Sequence, residues 1–245
     1  MHTSETASRS GNAQRAGRPK SEEKAQAILE AATRLFLAHG LQGTSMDAVA
    51  REAGVSKQTV YGHFANKEAL FRACIRRKIE EFGFQEEGLP EAGAARDLLL
   101  AVCRRFMALI CDPDVVAMYR VVMAEAVNHP RIAELFFESG PAATKAAVAA
   151  LLAGLVSRGE LRPHDADYAS WQLFNLCFGN IHIRLLFGLL REVPPGELEA
   201  QLTWAVDDFL VLYGPLDALQ DAPIATDDGG EGMPGFPSAH RGRDT

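Results

Sequence analysis

The chain has 245 residues, of which 47% are hydrophobic and 8% aromatic, enough for a substantial core in one or two domains. Its formal net charge of −7, taken whole, argues against a nucleic-acid binder. The distribution reverses that: Met1 to Lys78 carries thirteen lysines and arginines against seven acids, a balance of +6, while the remainder, out of totals of 25 and 32, holds −13. A basic head on an acidic body points nucleic-acid contact at one end only. The cysteines, Cys74, Cys103, Cys111 and Cys177, form no CxxC pair; buried free thiols in a reducing compartment are expected, with redox sensing as the alternative. No charged-then-apolar leader opens the chain, and no apolar run reads as long enough to span a bilayer. A cytoplasmic protein with no membrane partner is expected.

Met1 to Ala16 is rich in Ser, Thr, Ala and Gly without apolar periodicity, and reads as disordered. Gly17-Arg18-Pro19-Lys20 then puts two cations beside a proline. Arg18 and Lys20 on such an arm can reach a minor groove or run along phosphates, or can be a charged leader with no role. A first helix is expected from near Ser21, its apolar stripe carried by Ile28, Ala32, Leu35 and Phe36 and closed by His39-Gly40.

Thr44 to Lys67 reads as two short helices joined by a tight turn. Met46, Val49, Ala50 and Ala53 fall at i, i+3, i+4 and i+7, an apolar face. Thr44, three residues before Asp47, makes a capping-box-like start, and Ser45 competes as N-cap. Gly54 can take the left-handed conformation that ends a helix, and Val55 plugs the turn. Ser56 can cap the second helix. Val60 and Phe64 then face inward, leaving Lys57, Gln58, Thr59, Tyr61 and His63 outward. Amide and hydroxyl groups suit base edges and cations suit phosphates; the same pattern also describes a solvated helical hairpin. Asn66 caps a further helix carrying Leu70, Phe71, Cys74, Ile75, Ile79 and Phe82. Lys67 lies in its first turn, where backbone N–H groups and the helix dipole favour a phosphate.

From the GRPK arm to the helix after Asn66, the chain resembles the N-terminal domain of TetR-family transcriptional regulators. The matching words are FLAHGLQGTSMDAVAREAGVSKQTVYGHFANKEALF, gapless and including the flanking helices. The resemblance implies double-stranded operator DNA as partner. It puts Tyr61 and Lys67 at positions that contact the backbone, and turns Gln58 and Thr59 toward the groove. With Arg18, Lys20, Thr44, Lys57 and His63, these are the candidate DNA-binding residues.

Gln85 to Gly93 has no periodicity and reads as a connection. Beyond it the pattern stays helical. One segment runs from Ala94 to Cys111, broken by Asp112-Pro113, and another from Asp114 to about Ala126, broken by Asn128-His129-Pro130. Arg131 to Ser139 follows, then Ala142 to Arg158 after Gly140-Pro141. A long helix is expected from Asp165 or Asp167 to Leu190, and a last one from Glu197 to Tyr213. Ala218 onward is rich in Asp, Gly and Pro and reads as a disordered tail. The stretch YRVVMAEAVNHPRIAELFFESGPAATKAAVAALLAGLVSRGEL resembles the C-terminal domain of AefR-like members of the family. That implies a small, mostly apolar effector and dimerisation through the last two helices.

Large, soft or aromatic residues recur on successive helices: Phe106, Met107 and Ile110, then Met118, Tyr119, Val122 and Met123, then Phe174 and Phe178. A cavity lined this way adapts to hydrophobic guests, although cores are built from the same residues. Trp171, Asn175 and His182 repeat along one face, where Asn175 and His182 could orient a ligand's polar end or be satisfied core groups. Ile181, Leu185, Trp204 and Phe209 belong to helices apolar around much of their circumference, which suits a homodimer interface or the interior of a monomer. None of the histidines has metal spacing, and no GxSxG, P-loop or GxGxxG appears. No catalytic residue, metal or cofactor is therefore expected.

The expected fold is all-α: an N-terminal helix-turn-helix DNA-binding domain (17–83) and a C-terminal helical effector-binding and dimerisation domain (94–214), between tails at 1–16 and 215–245. The expected function is transcriptional repression from an inverted-repeat operator, relieved by a small hydrophobic effector. The competing readings are an enzyme or carrier for a hydrophobic metabolite, and an architectural DNA-binding protein without an effector.

Overall fold

The structure, a computed structural model, describes residues 17–85, 89 and 92–216, with side chains from Ser21 onward. The expected tails, most of the connection after Gln85, and the side chains of Arg18 and Lys20 lie outside the described residues. Among the described residues there are eleven helices and no strand.

The head comprises α1 (Gly17–Gly43), α2 (Met46–Glu52), α3 (Lys57–His63) and α4 (Lys67–Glu81). α1 starts four residues before the expected Ser21. Pro19 is tolerated in its first turn, where its missing N–H has no intrahelical partner to lose. Gly40, at φ 71 and ψ 179, ends the regular helix where the sequence placed its end, and a short turn continues to Gly43. Ile28, Ala32 and Phe36 are buried, and the Phe36 ring meets Phe71 of α4 edge-on at 5.4 Å. Each such large side chain contributes about 1.5–3 kcal/mol by leaving water. α1 and α4 thus form the brace behind the turn motif.

Caps fix the motif. The Ser45 hydroxyl accepts from the Ala48 N–H at 3.1 Å, Ser56 from Thr59 at 3.1 Å, and the Asn66 side-chain carbonyl from Ala69 at 2.8 Å. Each occupies a helix-initial N–H that has no intrahelical partner. Gly54 takes φ 65 and closes α2. Thr44 does not cap. It is buried, and its hydroxyl donates to the Gly40 carbonyl at 2.7 Å.

The body follows as α5 (Ala95–Cys111), α6 (Pro113–Ala126), α7 (Arg131–Ser139), α8 (Pro141–Ser157), α9 (Ala166–Phe178), α10 (Ile181–Leu186) and α11 (Pro195–Tyr213). Asp112, not Asp114, caps α6: its carboxylate accepts from the N–H groups of Asp114 and Val115, with Pro113 at the first helical position. Asp165 caps α9 in the same way. α9 packs on α5, α8 and α11, while α6 and α7 lie against α1 and α4, so head and body share a continuous core.

Two expectations need correction. The long helix to Leu190 is broken at Gly179 (φ 46), and α9 and α10 are separate. Gln201 of α11 packs against that glycine, where a β-carbon would lie 2.6 Å from its Oε1, and donates to the Leu176 carbonyl at 2.7 Å, satisfying an end of α9. The second concerns membrane-spanning length. By length and composition one helical stretch does qualify, the 27 residues Arg131–Ser157. Gly140-Pro141 divides it into α7 and α8, and Ile132, Leu135, Val148, Leu152 and Leu155 are buried in the core.

Candidate functional site

α3 stands at the surface with only Val60 fully buried. Gln58 is exposed, Tyr61 is 46% exposed, and Thr59 and His63 are half-buried. Lys57 projects beside Tyr61, its ammonium 5.9 Å from the ring centre, and is already paired with Asp47 of α2 at 2.8 Å. The hydrogen bond that Lys57 donates to Asp47, and secondarily the carboxylate's charge, raise the Lys57 pKa, so the cation is fully formed. A phosphate approaching Lys57 competes with that carboxylate. Thr59 shares its hydroxyl with Ser56 at 2.8 Å. Lys67, at the first position of α4, reaches back to the Gln42 carbonyl at 3.4 Å. Lys57, Gln58 and Tyr61 are exposed on α3, while Lys67 is half-buried at the start of α4. Thr44 does not join them, because its side chain is buried and its hydroxyl is spent on α1.

The turn that Lys67 touches is held from the other side by the body. The carboxylate of Glu125, near the end of α6, accepts from the backbone N–H of Leu41 at 3.2 Å and of Gln42 at 3.4 Å. Gly40 suits this turn. Its φ is positive, and a β-carbon would sit 1.6 Å from a Glu125 oxygen. No local pattern signals this contact, which joins residues more than eighty positions apart.

A cavity of about 580 Å³ lies between head and body. Phe106, Ile110, Met118, Tyr119, Trp171, Phe174, Phe178 and His182 line it, as expected. Four expected residues do not. Met107 and Val122 are buried in packing, Met123 is 50% exposed, and Asn175 faces outward. Asn175 and His182 lie on opposite sides of the Gly179 break, so the assumed common face does not exist. The sequence reading missed the head's share of the wall, Thr33 and Arg34 from α1 and Cys74, Ile75, Lys78 and Ile79 from α4, and also Phe136, Phe137 and Thr144 from α7 and α8.

The interior is aromatic. Phe106 stacks on Phe174 with centroids 4.0 Å apart and planes at 12°, and His182 stacks on Phe178 at 4.7 Å and 17°. Tyr119 meets His182 edge-on at 5.1 Å. Burial pushes the Tyr119 phenol up to about 12 and the His182 imidazole down, so both are neutral near pH 7. The Nε2 atom of His182 is buried without a hydrogen-bond partner. At the rim, Arg34 pairs with Glu52 at 3.1 Å, Arg77 with Glu81 at 3.1 Å, and Lys78 with Asp112 at 3.0 Å.

The expected interface residues separate. Ile181, Leu185 and Phe209 are buried within the subunit and are not available to a partner, which corrects their assignment. Trp204 is 50% exposed, and Val211 and Leu212 on the same helix are exposed with it. No group of three or more metal-binding side chains occurs among the described residues.

Comparison with known proteins falls on the same division. Residues 28–74 match the family described as bacterial regulatory proteins, tetR family. Residues 97–215 match the AefR-like transcriptional repressor C-terminal domain. A Mesorhizobium loti protein solved as a TetR-family regulator is 30% identical, with a TM-score of 0.67, covering 80% of this chain and 99% of that one. The structure of FrrA, described as a flavonoid-responsive regulator, is also 30% identical, with a TM-score of 0.65 and the same coverage. The repressor ComR of Escherichia coli K12 is 39% identical over 71 residues, 29% of this chain and a third (33%) of that protein.

Proposed function

Since this chain belongs to the TetR family of DNA-binding transcriptional regulators and is not an enzyme, we propose that it is a homodimeric repressor that leaves an inverted-repeat operator when a small hydrophobic effector fills the cavity. Two copies of α3 would read half-sites about 34–36 Å apart, or a multiple of a helical turn. Gln58 and Thr59 would meet base edges, with Lys57, Tyr61, His63 and Lys67 at the backbone and Arg18 and Lys20, in the first turn of α1, as further backbone contacts. The exposed apolar side chains of α11, Trp204, Val211 and Leu212, are the natural ground for the dimer contact, and the protein would work in the cytoplasm, where its operator is.

One observation carries the effector reading. The cavity is walled by α1 and α4 of the head as well as by the body, so whatever fills it presses directly on the brace of the reading helix. An effector shifts the population only by its differential affinity for the two states, and a wall shared by two units gives it that difference. The AefR-like repressor match and the effector response in the description of FrrA support the reading. The test is selection of operator sites from random DNA, followed by footprinting. A two-fold protected site, lost on addition of a cavity-binding compound, is the expected result. Uniform protection without a preferred sequence would favour an architectural role.

A further inference from the structure

We propose that Gly62 is a specificity-determining residue, whose missing side chain leaves a notch on the exposed side of α3 that admits the 5-methyl group of one thymine in each half-site. The inference rests on α3 reading an operator in the major groove and names one chemical feature that it reads.

The fold does not call for this glycine. Gly40, Gly54 and Gly179 stand at positive φ, and a β-carbon at Gly40 or Gly179 would collide with Glu125 or Gln201. Gly62 stands inside α3 and is not among the positive-φ glycines. A β-carbon there would meet nothing within 4 Å beyond its chain neighbours. Glycine weakens a helix relative to alanine, because it gives up more backbone freedom and packs nothing. Alanine would therefore serve the free subunit better, and the reason for a bare backbone lies in what α3 touches.

The notch faces away from the core. At about 100° per residue, Gly62 sits one turn beyond Gln58 and about 160° around the helix from Val60, the side chain that anchors α3. Gln58 and Gly62 are both exposed. The flanking side chains are engaged elsewhere. Tyr61 lies beneath the Lys57 ammonium at 5.9 Å, the Thr59 hydroxyl is bonded to Ser56 at 2.8 Å, and the His63 ring lies beside Phe64 at 6.2 Å. Between them a gap one side chain wide is floored by the glycine Cα.

Chemistry selects the occupant. Cα atoms lie about 2.3 Å from a helix axis, against about 5–6 Å for side-chain tips, so a duplex can come about 3 Å closer at this point. The floor is apolar and offers no side-chain donor or acceptor. Among the groups on the major-groove edges of the bases, only the thymine 5-methyl is apolar. A base nitrogen or oxygen set against this floor would lose water without gaining a hydrogen bond, whereas a methyl group gains burial.

The test measures fluorescence anisotropy of the full chain on the operator that it selects from random DNA. Each thymine is replaced in turn, in both half-sites, by uracil, which lacks only the methyl. Wild type should lose about three- to tenfold in affinity at one or more of these positions. Gly62→Ala puts a methyl into the notch. It should melt no lower than wild type, bind random duplex as wild type does, and lose at least about threefold on the thymine operator. It should regain that loss when uracil stands at the sensitive position, so that the two methyl groups compensate. Gly62→Leu, which overfills the notch, should lose more on both operators. A scan without a sensitive thymine overturns the assignment, and it needs no variant. So does a Gly62→Ala protein that melts lower, binds the thymine operator like wild type, or keeps the preference for thymine at the sensitive position. Random DNA that yields no preferred site sinks the operator reading and this assignment with it. A well-defined operator without a methyl-sensitive position sinks the notch alone.

Discussion

Glu125→Ala cuts the contact by which the body grips the base of the turn motif. The carboxylate accepts two backbone N–H groups, one at 3.2 Å and one at the long distance of 3.4 Å. A hydrogen bond to a charged group contributes about 1.5–3 kcal/mol net when well formed. Here one bond is stretched, the site is only part-buried, and water can serve the released N–H groups, so about 1–2 kcal/mol is expected. For a chain of this size that corresponds to a melting point lower by roughly 2–8 °C. If the same contact couples the two units, its loss also removes about a factor of ten from the ratio of operator affinities without and with effector, because 1.4 kcal/mol is tenfold. Thermal melting followed by circular dichroism measures the first quantity, and fluorescence anisotropy of a selected operator, with and without a cavity-binding compound, measures the second. Glu125→Gln, which keeps the shape and one acceptor, should fall between. A melting point within a degree of wild type, with unchanged operator release, would refute the reasoning.

Lys67→Ala should weaken binding to all DNA sequences alike and flatten the salt dependence by about one unit of slope; a salt titration with an unaltered slope removes Lys67 from the phosphate. Gln58→Ala should instead relax one operator position per half-site at a cost of roughly 1–3 kcal/mol there; an unchanged rank order of operator variants counts against its place in the groove. Phe209→Glu puts a charge into a fully buried site and should unfold the subunit, whereas Trp204→Glu should stay helical yet become a monomer by light scattering. A folded Trp204→Glu that remains dimeric moves the interface off that part of α11.

The head was readable because its signals are local. Gly54, Ser56 and Asn66 act within four residues of where they stand, and all three do what their chemistry suggests. The body's breaks at Asp112-Pro113 and Gly140-Pro141 were readable for the same reason. What escaped depends on distant partners. The break at Gly179 is completed by Gln201, which no window around the glycine contains, and with that break hidden Asn175 and His182 seemed to share a face. Apolar periodicity reports that Ile181, Leu185 and Phe209 are buried, but not whether the burying surface is their own subunit or another. Thr44 and Ser45 offered equivalent hydroxyls, and only the packing of α1 assigned the first to the Gly40 carbonyl.

Anyone building hybrid regulators from this chain inherits a condition from the Gly40 contact. A reading head transplanted onto a foreign body arrives with a gap where the Glu125 carboxylate belongs, and a foreign head bearing a larger residue at that turn would expel the carboxylate from its seat. The joint is a matched lock of glycine and glutamate. A graft that carries Gly40 and Glu125 together keeps both backbone hydrogen bonds at the base of the turn.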